Sequence, residues 1–243
     1  MPRYRFIVEY LGIDYHGWQK QPNQITVQQS LEEAFSTCSR ETIKIMGSGR
    51  TDAGVSALGQ VAHFDSNREL EVELIQRSVN ALTGKGLYIR ELKLCALDFN
   101  SRFAACARYY QYRISFRPRA LEQNQTWFVF EPLNLTLFKE ELKRVVGTHD
   151  FDSLSISRKD GRSTVCTITR AELEDRGDGV IIHIEGNRFL HKMVRSLIGV
   201  SYDVARGYSL PGLMDRIMSQ QFKGERTWAP AQGLCLRKVK YPE

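Results

Sequence analysis

The chain has 243 residues, 42% apolar and 26% charged, enough to bury a sizeable core in one or two domains. No run approaches the roughly 18 apolar residues that a membrane span needs, and Met1-Pro2-Arg3-Tyr4-Arg5-Phe6 enters a strand-like segment without the apolar core of a secretion signal, so a cytoplasmic location is expected. Five scattered cysteines without a CxxC pair, and no HExxH, argue against a disulfide framework and a metal centre, while a net charge of +6 suits a polyanionic partner.

In chain order, Tyr4 to Leu11 alternates with Phe6, Val8 and Tyr10 on one face, which predicts a strand. A loop from Gly12 to Gln24 carries Tyr15, His16 and Trp18. Thr26-x-x-Gln29 reads as a capping box before a helix with Val27, Leu31, Ala34, Phe35 and Cys38 inward. Strands at about 42–47 and 59–65 follow. Ser66-x-x-Glu69 reads as a second capping box, before a stripe of Val72, Ile75, Val79 and Leu82, and Leu87 to Leu97 is a strand. This β-α-β-β-α-β order is that of a ferredoxin-like unit.

The pattern then restarts. Ala107 to Phe116 and Trp127 to Phe130 are strand-like, and Leu135 to Val146 is a helix ended by Gly147. Gly147-Thr148-His149-Asp150-Phe151 and Ser157-Arg158-Lys159-Asp160-Gly161-Arg162 read as polar connections. Strands at about 163–175 and 179–186 flank the hairpin turn Asp175-Arg176-Gly177-Asp178-Gly179. A long helix from about His191 to Arg206, a short one from Leu210 to Gln220 and a last strand from Gly233 to Val239 complete the chain. The expected fold is α+β: two ferredoxin-like (RRM-like) halves, residues 1–103 and 104–243, with mixed or antiparallel sheets around a central cleft and helices on the outer faces.

Three stretches carry chemistry-bearing side chains. Gly47-Ser48-Gly49-Arg50-Thr51-Asp52-Ala53-Gly54 is a glycine-rich turn between strands that brackets Arg50 and Asp52. A carboxylate beside a guanidinium stays ionised, as a nucleophile or an anionic anchor must, although a turn with an ordinary surface ion pair has the same sequence. A dinucleotide or phosphate loop fits poorly, because a strand follows, no GK[ST] is present and the acid repels phosphate. On the strand Arg108-Tyr109-Tyr110-Gln111-Tyr112-Arg113, alternation places Arg108, Tyr110 and Tyr112 on one face, able to stack a nucleobase and hold its phosphate, or else simply core. Arg188, His191, Lys192 and Arg195 fall at i, i+3, i+4 and i+7, one basic helical stripe suited to phosphates. His16, His63, His149 and His183 show no ligand spacing and read as structural.

Gly49-Arg50-Thr51-Asp52-Ala53-Gly54-Val55, followed by Gly59-Gln60-Val61 and Phe64-Asp65, resembles the signature of the tRNA pseudouridine synthase A family. Further blocks occur in that family's order. They are Gly17-Trp18-Gln19, Thr26-Val27-Gln28, Asn80-Ala81-Leu82, Arg102-Phe103, Arg108-x-Tyr110-x-Tyr112, Gly147 to Phe151, Asn187-Arg188-Phe189 through Arg195, Ala229-Pro230-Ala231 and Gly233-Leu234-Cys235-Leu236. The chain departs from the pattern at Leu11, Ser56 and Asn100, where the family commonly has aspartate, histidine and histidine.

The resemblance implies a tRNA-uridine isomerase that needs no cofactor and no metal. It implies Asp52 as the essential carboxylate, whether it attacks C1′, adds to the base or removes a proton at C2′. Arg50 is then its partner, and Tyr110 packs on the target base and takes the C5 proton. Arg108, Tyr112, Arg188, Lys192 and Arg195 are the substrate-binding residues so expected. The uridines implied are positions 38–40 of the anticodon stem-loop, and the implied assembly is a homodimer around tRNA. The rival reading from the residues is a non-catalytic RNA-binding module of the same fold. A nucleotide-binding oxidoreductase is a third.

Overall fold

Alternation decides the first strand. In β1 (Arg3–Tyr10) the residues Tyr4, Phe6, Val8 and Tyr10 are buried on one face. The computed structural model describes residues 1–84, 86–156, 161, 163–221 and 224–242. The basic loop 157–162 singled out above therefore lies outside the described residues, apart from Gly161. Two compact units divide the chain: Met1–Cys106 with Cys235–Glu243, and Ala107–Leu234. The last strand thus groups with the N-terminal unit, where its pairing partner, the strand Ser56–Asp65, lies.

The first unit follows the expected β-α-β-β-α-β order: β1, α1 (Val27–Ser39), β2 (Met46–Gly47), β3 (Ser56–Asp65), α2 (Val72–Thr83) and β4 (Leu87–Cys95). β1 is antiparallel to both β3 and β4. The other edge of β3 is shared. β2 pairs antiparallel with it at Ala62 and His63, and β10 (Leu234–Lys240) pairs parallel at Ser56 and Ala57. Tyr4, Phe6, Phe35 and Phe64 form the core, with ring centroids 4.7–5.9 Å apart. Thr26 caps α1 as expected, accepting from the Gln29 amide.

Two expectations fail here for identifiable reasons. The strand predicted over 42–47 shrinks to two residues, because side chains of α1 take its amides: Ile43 N donates to Ser36 Oγ (2.9 Å) and Ile45 N to Glu32 Oε1 (3.1 Å). Ser66 does not cap α2. Its hydroxyl is bonded to Glu41 Oε1 at 2.5 Å, and α2 begins at Val72 behind Glu71, whose side chain makes no capping bond.

The second unit contains β5 (Ala107–Ser115), β6 (Trp127–Phe128), α3 (Leu135–Lys143), β7 (Gly147–Asp150), β8 (Val165–Asp175), β9 (Gly179–Gly186), α4 (Met193–Ala205) and α5 (Leu213–Met218). Its strands lie in the order β5-β9-β8-β7, all antiparallel, with β6 parallel to β5. Both units are therefore α+β. The segment 147–150, expected as a connection, is an edge strand on β8, and α3 ends at Lys143 rather than at Val146. α4 is buried over 12 of its 13 residues, with Arg195 the exception, and packs on α3 and α5. It starts at Met193, because Lys192 takes a left-handed conformation (φ 59°, ψ 6°). Arg188, His191 and Lys192 consequently precede the helix, and the four-base helical stripe does not form.

Candidate active site

The turn carrying Arg50 and Asp52 runs from the end of β2 to the start of β3. Arg50 is exposed and Asp52 half-buried. Both residues engage in further interactions within the chain. Val55 N closes the turn on the Asp52 carbonyl at 3.1 Å. Ser48 Oγ donates to Gln60 Oε1 (2.5 Å), and Gln60 Nε2 donates to the Gly49 carbonyl (2.9 Å). A buried glutamine on β3 thereby fixes the residues just before Arg50.

A second segment clamps the turn from outside. Trp18 N donates to the Thr51 carbonyl (3.1 Å), and Gly54 N donates to the Tyr15 carbonyl (3.3 Å). The Asp52 backbone is thus held on either side by residues 15–18. Thr51 Oγ1 and Tyr10 OH share a buried 2.8 Å hydrogen bond, and Tyr10 packs on both Tyr15 and Trp18. Tyr15 and Trp18 are buried although they sit in a loop, where burial is uncommon.

Close approach explains two glycines outside the motif. A Cβ on Gly12 would lie 2.3 Å from the Val55 carbonyl carbon and 2.5 Å from Gly54. A Cβ on Gly17, where φ is +87°, would lie 2.7 Å from the Thr51 oxygen. Within the motif itself, Gly54 alone among Gly47, Gly49, Gly54 and Gly59 takes a positive φ, and a Cβ on Gly49 would meet open space. The support of the Asp52 turn therefore comes from a distant loop, which the spacing inside the motif does not reveal.

The departures from the family pattern also find places. Ser56 Oγ accepts from Gly12 N at 2.9 Å and so belongs to the clamp. Asn100 Oδ1 accepts from the amides of Arg102 and Phe103, capping a turn. Leu11 is exposed, and its backbone bonds on both sides: its amide donates to the Gly86 carbonyl (2.9 Å) and its carbonyl accepts from Asp14 N (3.3 Å). His63 is buried, with Nδ1 accepting from Ser101 N (3.2 Å) and bonded to Ser101 Oγ (2.8 Å), and burial holds its pKa below the ordinary histidine value.

In the second unit, Tyr110 is 9% exposed and meets Phe189 edge-on, with ring centroids 5.2 Å apart. Phe189 was not singled out as a site residue from sequence, and this contact is what draws attention to it. Tyr112 shares the face of Tyr110 but lies deeper, 1% exposed. Its hydroxyl donates to the Pro230 carbonyl (2.8 Å), and burial pushes the phenol well above its ordinary pKa. What Tyr112 touches is the chain segment at 230, rather than an open stacking surface. Arg108 NH1 donates to the Asn187 carbonyl (2.7 Å), and Arg188 donates to the Ser163 carbonyl. Arg195 Nε donates to the Ala229 carbonyl (2.7 Å), and Lys192 stands 6.0 Å from the Trp228 ring centroid. The structure thus groups Lys192 and Arg195 with the segment 226–230, and Arg108 and Arg188 with the chain before α4. Among the described residues, no three His, Cys, Asp or Glu side chains gather as a metal site, and no helix is long and apolar enough to cross a membrane.

A family profile described as tRNA pseudouridine synthase matches residues 6–104 and 142–242. Among curated relatives, a tRNA pseudouridine synthase A of Rhizobium meliloti (strain 1021) is 38% identical over 247 residues, covering 99% of this chain and 100% of that protein. One of Neorickettsia sennetsu is 37% identical, covering 98% and 100%. One of Exiguobacterium sibiricum is 33% identical, covering 100% and 98%. The chain belongs to the tRNA pseudouridine synthase family, isomerases that convert uridine to pseudouridine.

Proposed function

We propose that this chain converts uridine to pseudouridine in the anticodon stem-loop of tRNA, at positions 38–40, with Asp52 as the essential carboxylate. The observation that supports this reading is the turn around Asp52. Its flanking residues Thr51 and Gly54 are bonded through backbone groups to residues 15–18, so the half-buried carboxylate stands on a fixed base.

The reaction breaks the bond between N1 and C1′ and makes one between C5 and C1′. C5 loses a proton and N1 gains one, so no group or electron enters or leaves. A carboxylate is suited to the first stage as nucleophile or base, and Arg50, two residues earlier, is placed in sequence to orient it. Tyr110, largely buried and edge-on against Phe189, has the phenol and the flat ring needed to stack the freed base and accept the C5 proton. A detached uracil must be retained, which favours apolar neighbours such as Phe189. Arg108, Arg188, Lys192 and Arg195 supply charge for the RNA backbone. Tyr112 serves by holding the segment at Pro230. A homodimer in the cytoplasm completes the reading, on the strength of the family resemblance.

The test is Asp52→Asn assayed on unmodified tRNA transcripts. Loss of pseudouridine formation by about 10³-fold or more is expected, with RNA binding kept. Retained turnover would overturn the assignment. Arg50→Lys is expected to reduce turnover, because a point charge does not replace a bidentate fork. Mapping pseudouridine in the product RNA checks the positions.

A further inference from the structure

The segment 226–230 runs extended along α4 without belonging to any helix or strand, yet it is held at several points. Asp203 on α4 is 1% exposed. Its carboxylate accepts from Thr227 N (2.8 Å), from Thr227 Oγ1 (2.6 Å) and from Arg206 NH2 (2.8 Å). Ala229 N donates to the Arg195 carbonyl (3.1 Å), and Arg195 Nε returns a bond to the Ala229 carbonyl (2.7 Å). Gly199 lets the segment approach, since a Cβ there would lie 1.8 Å from the Thr227 oxygen.

Alternation follows from this anchoring. Thr227 and Ala229 turn toward α4, Ala229 being fully buried, while Arg226 and Trp228 turn away and stay partly exposed. Arg226 stands 5.1 Å from the Trp228 ring centroid and Lys192 stands 6.0 Å from it. Two cations share one indole.

A surface cation beside an aromatic ring is common and by itself structural. Three observations set this group apart. Neither Lys192 nor Arg226 forms an ion pair with a carboxylate among the described residues. Burial lowers the Arg226 pKa from its ordinary value with no acid to counter it, its guanidinium being bonded to the Ser153 carbonyl (2.6 Å). Lys192 also holds a left-handed backbone that is unfavourable for a side-chain-bearing residue and places its ammonium at this ring. Like charges gathered on a rigid aromatic support, without an internal anion, fit an external one.

We infer that Lys192, Arg226 and Trp228 form a binding site for the sugar–phosphate backbone of the RNA substrate, presented by a strap that the buried Asp203 staples to α4. The two cations take a phosphate, and the indole covers the adjoining ribose or base while keeping the cations in register. The site rests on the proposed function for the identity of its ligand. It adds Arg226 and Trp228 to the binding residues and makes Asp203 a positioning residue.

The experiment measures binding of an unmodified tRNA transcript to the full chain across a salt series, for the wild type, Lys192→Gln, Arg226→Gln and Arg226→Lys. Each glutamine variant is expected to weaken binding about 3- to 10-fold and to reduce the slope of log Kd against log salt by about 1. Arg226→Lys is expected to restore most of that slope, which a loss through misfolding would not do. Trp228→Leu, with both cations kept, is expected to weaken binding as well. Wild-type slopes in both glutamine variants overturn the proposal. A parallel assay of uridine conversion separates the two readings. Conversion by the wild type with unshifted slopes sinks the site alone, and shifted slopes without conversion sink the proposed reaction alone.

Discussion

The Asp52 turn and the 226–230 strap both hold irregular backbone in place, and they do so by opposite means. The turn is gripped by neutral groups, through amides and carbonyls of residues 15–18 and through glycines that allow van der Waals contact between backbones. The strap is held, besides the Arg195–Ala229 and Tyr112–Pro230 bonds, by one buried side chain, the Asp203 carboxylate, which gathers three donors. A backbone grip fails when something intrudes, and a charged staple fails when its acceptor is removed. The second tolerates side-chain variety along the strap itself, because Asp203 reads the backbone amide of residue 227 and only one hydroxyl.

Removing Asp203 is the most severe test of this contrast. Asp203→Ala removes at once the acceptor of the part-buried Thr227 amide and hydroxyl and of the Arg206 guanidinium, and is expected to cost about 3 kcal/mol in urea unfolding. A loss below about 1 kcal/mol would mean that the Arg195–Ala229 bonds suffice. Gly12→Ala drives a methyl into the backbone of residues 54 and 55 and is expected to cost about 2 kcal/mol. Its effect on turnover should exceed its effect on stability, since the displaced atoms adjoin Asp52; single-turnover kinetics beside a denaturation curve decides this. Tyr112→Phe removes one bond to the Pro230 carbonyl and is expected to cost about 1 kcal/mol, with a matching rise in the susceptibility of the strap to proteolysis.

The smallest effect concerns acid. His63, on the strand that continues the Asp52 turn, has a folded pKa lowered by burial. Its unfolded form binds protons first, so the stability it contributes is complete above about 6.5 and is lost as pH falls toward the folded value. Unfolding free energies taken at about pH 7.5 and about pH 5 should therefore differ less in His63→Asn than in the wild type.

Legibility in the sequence followed the kind of force involved. β1 and α1 read correctly because their burial repeats with the period of the element, and Thr26 capped where its position required. Ser66 misled, because a capping signature competes with any carboxylate that folding brings near, here Glu41. The basic stripe from Arg188 to Arg195 misled because periodicity presumes a helix, and behind the left-handed Lys192 that helix begins only at Met193. Arg50, Asp52 and Tyr110 stood out by their motif. Gly12 and Asp203 did not, since nothing local distinguishes a glycine in contact with a distant backbone or an aspartate inside a helix, while Gly17 and Phe189 appeared only within family blocks, without a role.

By itself the sequence determined the α+β class, most elements, the basic balance and the glycine-bracketed Arg50–Asp52 pair, all of which depend on residues within a few positions of one another. The tertiary structure alone decided that residues 12–18 brace the Asp52 turn, that the last strand pairs with β3 in the first unit, and that Asp203 presents Arg226 and Trp228 beside Lys192. Each of these rests on atoms brought within a few ångströms from tens or hundreds of positions away, and no local pattern encodes such distances.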